Sequence, residues 1–168
     1  MIAVRLNRLP FVRLLCDMPG LRVLRVETRS YRFAAPLTSA VYHGHAHVLR
    51  EMCKLRSLDL NGTTRTGLNL LALAAMRGHV ECVQVLLQVP TVDKNKTDGF
   101  GNTPLMIAAM SGRLHCTQAL CADPGVDVDA KNNEGNTALM LAESRKHAAC
   151  AAFLSSLESR SHVESEVA

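Results

Sequence analysis

Thirty-four residues separate Leu37, Leu71, Leu105 and Leu139, and the same interval governs the columns around them. Three positions after each leucine stands Ala40, Ala74, Ala108 or Ala142, and seven after stands Gly44, Gly78 or Gly112, with Lys146 departing in the last copy. Four positions before come Gly67, Gly101 and Gly135, with Phe33 departing in the first copy. Twenty-two after come Asp59, Asp93 and Asp127, followed two later by Asn61, Asn95 and Asp129. A fixed period in so many columns is an internal repeat, and it restricts the chain to folds that stack one supersecondary unit on itself.

The third copy shows what the unit is. Residues 99–112 read GFGNTPLMIAAMSG. Thr103 is suited to cap a helix, Pro104 to its first turn, and Leu105, Ile107, Ala108 and Ala109 to a small-residue apolar helix that stops at Gly112. A second helix follows, read in the copy before as residues 79–88, where Val80, Cys82, Val83, Leu86 and Leu87 fall at helical spacing. A polar stretch rich in Gly, Asn and Asp then projects as a turn before the next copy. One such hairpin cannot bury its apolar face alone, so neighbours must stack. Aromatic residues make up only 4% of the chain and tryptophan is absent, which suits close packing of Ala, Leu and Val between helices.

Thr103-Pro104-Leu105-Met106-Ile107-Ala108-Ala109 followed by Ser111-Gly112 resembles the T-P-L-H-x-A-A…G-H motif of ankyrin repeats. Asn69-Leu70-Leu71-Ala72-Leu73-Ala74-Ala75…Gly78-His79 and Asn136-Thr137-Ala138-Leu139-Met140-Leu141-Ala142 resemble it too. The usual period of 33 becomes 34 here through one extra residue near Pro90 and Pro124. The motif histidine is replaced by Thr38, Ala72, Met106 and Met140, so its capping hydrogen bond is lost in every copy. The resemblance implies an all-α ankyrin-repeat solenoid of stacked helix–turn–helix units with projecting β-turn loops. Its expected divisions are residues 1–32 as a partial repeat or cap, 33–66 as a divergent first repeat, and 67–100 and 101–134 as the second and third. A truncated fourth repeat covers 135–157, and 158–168 (ESRSHVESEVA) read as a disordered polar tail.

Charge is unevenly placed. Residues 1–34 hold seven arginines against Asp17 and Glu27, or +5, which leaves −1 for the rest of a chain whose total is +4. The first 16 residues contain three arginines and no acid, so an organelle-targeting presequence or a nucleic-acid-binding arm is the alternative to a cap. Starting inside a repeat also fits a piece of a longer array. No apolar run reaches the roughly 20 residues of a membrane-spanning helix. Cys82, Cys116 and Cys150 share one repeat position, which makes them a recurrent small hydrophobe rather than a disulfide framework. A reducing compartment follows, cytoplasmic or nuclear, with mitochondrial as the alternative.

Chemical sites are sparse. Gly99-Phe100-Gly101 lacks the third glycine of a phosphate loop, since Pro104 stands in its place. His43-Gly44-His45-Ala46-His47 is the best metal candidate, but Gly44 divides it between two helices and no further ligand has a matching spacing. No serine lies in G-x-S-x-G. The expectation is therefore no enzyme, no cofactor, no metal, no small-molecule substrate and no membrane, with nucleic acid disfavoured outside residues 1–34. Asn61-Gly62-Thr63 and Asn95-Lys96-Thr97 are formal glycosylation sequons. The resemblance instead offers Asn61 and Asn95 as candidates for β-hydroxylation.

Ankyrin arrays commonly bind protein partners with their turn tips and the exposed side of the first helices. Carried over by register, this implies Tyr31, Arg32, Tyr42 and His43 in the first copy and Arg65, Thr66, Leu68, Met76 and Arg77 in the second. The third supplies Phe100, Asn102, Met110 and Ser111, and the fourth Asn133, Glu134, Asn136, Ser144 and Arg145. Aromatic residues and arginines, the types enriched at interface hot spots, are concentrated in this set. The expected partner is a protein that offers an acidic peptide or surface with apolar anchors.

Overall fold

The computed structural model describes residues 35–54, 58–64 and 67–165. Eight helices lie among them: α1 (Ala35–Tyr42), α2 (Ala46–Cys53), α3 (Leu70–Arg77), α4 (Val80–Leu87), α5 (Pro104–Met110), α6 (Leu114–Cys121), α7 (Ala138–Ser144) and α8 (Ala148–Ser165). They form four antiparallel hairpins, α1–α2 through α7–α8, each packed on the next. First helices stack on first helices and second on second, giving the expected all-α solenoid.

The first helices α3, α5 and α7 are each started by a side chain. Asn69 Oδ1 accepts from the Ala72 amide at 2.7 Å, and the Thr103 and Thr137 hydroxyls accept from Met106 and Met140 amides, both at 3.3 Å. The residue ahead of α3, α5 and α7 is extended, as a capping residue must be. The second helices α2, α4 and α6 have no such cap: His45, His79 and Arg113 make no capping bond with their side chains.

The connection inside each hairpin is a Schellman turn, in which amides just past the helix return to its last carbonyls. His45, His79, Arg113 and His147 amides bond to the carbonyls of Ala40, Ala74, Ala108 and Ala142 at 2.8, 3.1, 3.0 and 2.9 Å. Gly44, Gly78 and Gly112 precede them with φ of +72°, +81° and +67°. The alanine and glycine columns are thus two ends of one turn. Lys146 adopts the same left-handed conformation, with φ 61°, the only non-glycine residue among those described to do so.

Glycine is required in the inner copies for a second reason. A Cβ on Gly44 would lie 2.7 Å from His79 Nδ1, and on Gly112 2.6 Å from His147 Nδ1. Both rings belong to the following repeat. Lys146 has no such neighbour among the described residues, so its copy can carry a side chain at the cost of backbone strain alone.

The core runs continuously between the two helix layers. Leu37, Leu71, Leu105, Val48, Leu49, Leu86 and Leu120 are buried, with Ala40, Ala74, Ala108 and Ala142 letting the layers approach. Cys82, Cys116 and Cys150 are buried together with them as small hydrophobes. Stacking also decides exposure within a column: Met106 is 1% exposed, whereas Met140, on the last hairpin, is 51% exposed. Thr38, in the same column, keeps a buried hydroxyl without a partner among the described residues.

One expectation needs correction. Residues 158–165 continue α8 instead of forming a disordered tail. The sequence from Ala148 to Ser165 contains neither glycine nor proline, so the backbone meets nothing that would end the helix there. Polarity alone was a poor guide to that boundary.

Replacing Lys146 with glycine relieves the left-handed strain, and we expect it to stabilise the protein by about 1 kcal/mol. Gly112→Ala introduces both the strain and the collision with His147, and should cost about 2 kcal/mol or more. Thermal denaturation followed by circular dichroism checks both, with a rise of about 2–4 °C expected for Lys146→Gly. An unchanged or lowered melting temperature for that variant would contradict this account.

Candidate partner-binding face

Each projecting turn is held by an Asx- or Thr-type side chain at its base. Asp98 Oδ1 accepts from the amides of Phe100 and Asn102, both at 2.9 Å, and Asn132 Oδ1 accepts from Glu134 and Asn136 at 3.0 and 2.9 Å. Thr64 Oγ1 does the same for Leu68 at 3.0 Å. The Gly101 amide returns to the Asp98 carbonyl, with Gly101 left-handed at φ +80°. That tight reversal leaves Phe100 at the tip, 69% exposed.

Neighbouring turns are bridged. Asn61 Nδ2 donates to the Thr91 carbonyl at 2.6 Å while its Oδ1 accepts from the Asp93 amide at 2.8 Å. Asn95 repeats this one copy on, with the Gly125 carbonyl at 2.9 Å and the Asp127 amide at 2.9 Å. The Asn133 amide bonds the Phe100 carbonyl, and Lys94 Nζ meets both oxygens of Asp123 at 2.7 and 2.8 Å. This lysine holds the Asp123 carboxyl below its ordinary value, chiefly through the hydrogen bond, against a smaller upward push from burial. The side chains of Asn61 and Asn95 are therefore committed to joining repeats.

At the other end of the first helices, consecutive connections are joined as well. His79 Nε2–H donates to the Tyr42 carbonyl at 3.2 Å, Arg113 Nε–H to Met76 at 3.1 Å, and His147 Nε2–H to Met110 at 3.1 Å. The histidine of the G-H signature is thus an inter-repeat fastener, with arginine taking its place in the third copy. His43 Nδ1–H donates to the Ser39 carbonyl at 2.9 Å, and its ring stacks 5.8 Å from that of His45. Among the described residues no group of three or more His, Cys, Asp or Glu side chains is gathered to hold a metal ion.

Several residues selected by register come together here. The Arg77 guanidinium lies 3.9 Å over the Tyr42 ring, joining the second described hairpin to the first through a cation–π contact. Tyr42 remains 44% exposed, and its edge meets His43 at 5.2 Å. Met76, Met110 and Ser111 are half-buried, while Arg145 and Ser144 are exposed, Ser144 Oγ donating to the Leu141 carbonyl. Asn133 and Glu134 are exposed on the last turn. Tyr31, Arg32, Arg65 and Thr66 lie outside the described residues.

Asn102 is different. It is 7% exposed, donates to Asp98 Oδ2 at 3.2 Å and accepts from Asn132 Nδ2 at 2.9 Å. Contrary to the expectation from register, its side chain packs inside the turn and has no surface to offer a partner. Asn136 and Leu68, in the same column, are half-buried, and Asn136 Nδ2 donates to Glu134 Oε2. Register alone assigned this column to the surface because a polar residue on a turn reads as exposed. Two cations on the same edge as Arg77 escaped that selection, Arg113 and Lys146. The signal was present as departures from the G-H pair, which read as lapses of the motif.

Stacked hairpins with bridged turns and alanine–glycine connections define a helical repeat solenoid. A family model described as ankyrin repeats (three copies) matches residues 1–98 and 73–165, and the chain belongs to the ankyrin-repeat family. A search of the curated proteins returns no match. Ankyrin repeats are in general protein–protein interaction modules and typically non-catalytic. Among the described residues no helix is long and apolar enough to cross a membrane.

The described cysteines, Cys53, Cys82, Cys116, Cys121 and Cys150, are free thiols. Burial, reinforced by the Glu81 carboxylate and by Cys116 and Cys53, pushes Cys82 up to about 12. Burial likewise pushes Cys53 and Cys121 up to about 11, and Cys116 up to about 11 against an opposing pull from Arg113. A raised thiol pKa means the folded state holds its protons longer. Stability from this source is therefore complete below about pH 8.5, the ordinary thiol value, and falls as pH rises towards 11–12. At pH 8, alkylation mapped by mass spectrometry should leave these four cysteines largely unmodified until denaturant is added. Rapid native labelling of Cys82 would contradict the buried neutral assignment.

Proposed function

We propose that this chain is a non-catalytic adaptor that binds a protein partner along the concave face made by its turn tips and first helices. The observation that carries this reading is the exposed Tyr42–Arg77 pair, an aromatic ring and a guanidinium already held in place by each other. Preorganised aromatic–arginine surface of this kind loses little side-chain freedom on binding, which is what gives such residues their weight at interfaces. Met76 and Met110 continue an adaptable apolar strip along the array, and Phe100 adds an anchor at a turn tip. Family membership supports a protein as the partner.

The family match reaches residue 1, which favours residues 1–32 as part of the array over a separate targeting or nucleic-acid-binding arm. The free buried thiols support a reducing compartment, cytoplasmic or nuclear.

Affinity capture with the whole chain as bait supplies a partner, and calorimetry then measures its affinity for variants. Tyr42→Ala and Phe100→Ala are each expected to weaken binding about tenfold or more while leaving the melting temperature within about 2 °C. Undiminished affinity in both variants would overturn the concave-face reading.

A further inference from the structure

The bonds from His79 to Tyr42, Arg113 to Met76 and His147 to Met110 set the four helix connections in one row. That row is cationic. Residues 42–46, 76–80, 110–114 and 144–148 contain Arg77, Arg113, Arg145 and Lys146 and no carboxylate, the adjoining acids being Glu81 and Glu143. All four cations are exposed. Ion pairs among the described residues join Lys54 to Glu51 and Lys94 to Asp123, and neither involves the row.

The opposite edge has the reverse sign. A first helix of seven residues such as α5 carries the chain from turn tip to connection, about 10 Å. Among the described residues, the turn end carries Asp59, Asp93, Asp98, Asp127, Asp129 and Glu134, against Lys96 and Lys131, besides the Lys94–Asp123 pair. The charge beyond residue 34 nearly cancels in sum, yet it is separated across the width of the array.

We infer that an extended acidic segment of the partner protein lies along the connection row, with carboxylates at Arg77, Arg113, Arg145 and Lys146. Tyr42, Met76 and Met110 border the same row, so an apolar residue between the acids has a surface to rest on. This deepens the concave-face reading and rests on it. The helix length of about 10 Å that separates the two edges is close to the Debye length at physiological salt, so the turn-edge carboxylates are only partly screened from a ligand on the row. A narrow peptide confined to the row keeps its distance from them. A nucleic acid, broad and uniformly anionic, meets their repulsion, and a near-neutral array lacks the dense positive charge that phosphate backbones require.

The test uses the whole chain and a fluorescein-labelled 14-residue peptide of glutamate, serine and leucine, read by fluorescence anisotropy. The same peptide with glutamine for every glutamate is the control. The acidic peptide should bind at least tenfold more tightly than the control. Arg145→Gln combined with Lys146→Gly should weaken it about fivefold, since exposed pairs are individually modest. Lys146→Gly relieves strain, so loss of fold does not explain that loss, and melting temperature confirms it. Asp127→Asn with Asp129→Asn, on the far edge, should leave affinity the same or slightly tighter.

Equal binding of the glutamine control, or no effect of the Arg145/Lys146 double variant, overturns the acidic row. If Tyr42→Ala still weakens a captured partner in that case, the concave-face reading stands without it. Tighter binding of a 14-nucleotide single strand than of the acidic peptide overturns the proposal in favour of nucleic acid. Salt-sensitive dimerisation in sedimentation, with no peptide bound, overturns it in favour of a second copy pairing its acidic edge with this row.

Discussion

The left-handed turn between the two helices of each repeat is the constraint on which the stack depends. It closes one helix, opens the next, and leaves a bare backbone surface against which the following repeat places a His or Arg side chain. That side chain then bonds a carbonyl at the end of the earlier helix. A Cβ at Gly44, Gly78 or Gly112 would intrude on the ring or arginine stem that covers it. Local conformation and repeat-to-repeat contact therefore meet in a single glycine, and neither can be altered without the other.

At the far ends of the helices the asparagines of the projecting turns make a second set of links. Asn61 and Asn95 each present an amide that donates with one end and accepts with the other, satisfying a carbonyl and an amide of the next turn together. An aspartate in either position would lose the donor. Asp129 occupies the equivalent place in the last copy, where no described turn follows. Stability in such an array is approximately a sum of repeats and nearest-neighbour interfaces, and these two sets of links add polar contacts to an interface whose body is the buried apolar core.

Much of this was legible in the sequence. The spacing of Leu37, Leu71, Leu105 and Leu139 fixed the unit, and Thr103-Pro104 and Gly112 located the ends of a helix that the structure places at Pro104–Met110. Cys82, Cys116 and Cys150 read correctly as core because their period matched that of the leucines. What could not be read was contact between residues about 37 apart, since the bond from His79 to the Tyr42 backbone leaves no mark on the identity of Tyr42. Asn102 was misplaced for a related reason: its burial comes from Asn132 in the next turn, a partner thirty residues away. The end of α8 was missed because composition reports polarity, whereas a helix is ended by backbone chemistry. Among residues proposed for binding, register found the Tyr42–Arg77 pair but overlooked Arg113 and Lys146, which look like failures of a motif until the connections are seen side by side.

Linking repeats at both ends of their helices has a mechanical consequence. One line of bonds would act as a hinge, about which neighbouring hairpins could swing; two lines, separated by the length of the first helix, resist that swing. Bending along the array is then shared among interfaces, each yielding a little, as in a leaf spring. A ligand lying across several repeats would feel this stiffness, and repeats would disengage under tension one interface at a time. The same two lines of hydrogen bonds that hold the hairpins in register thus set how far the surface can flex to meet what it binds.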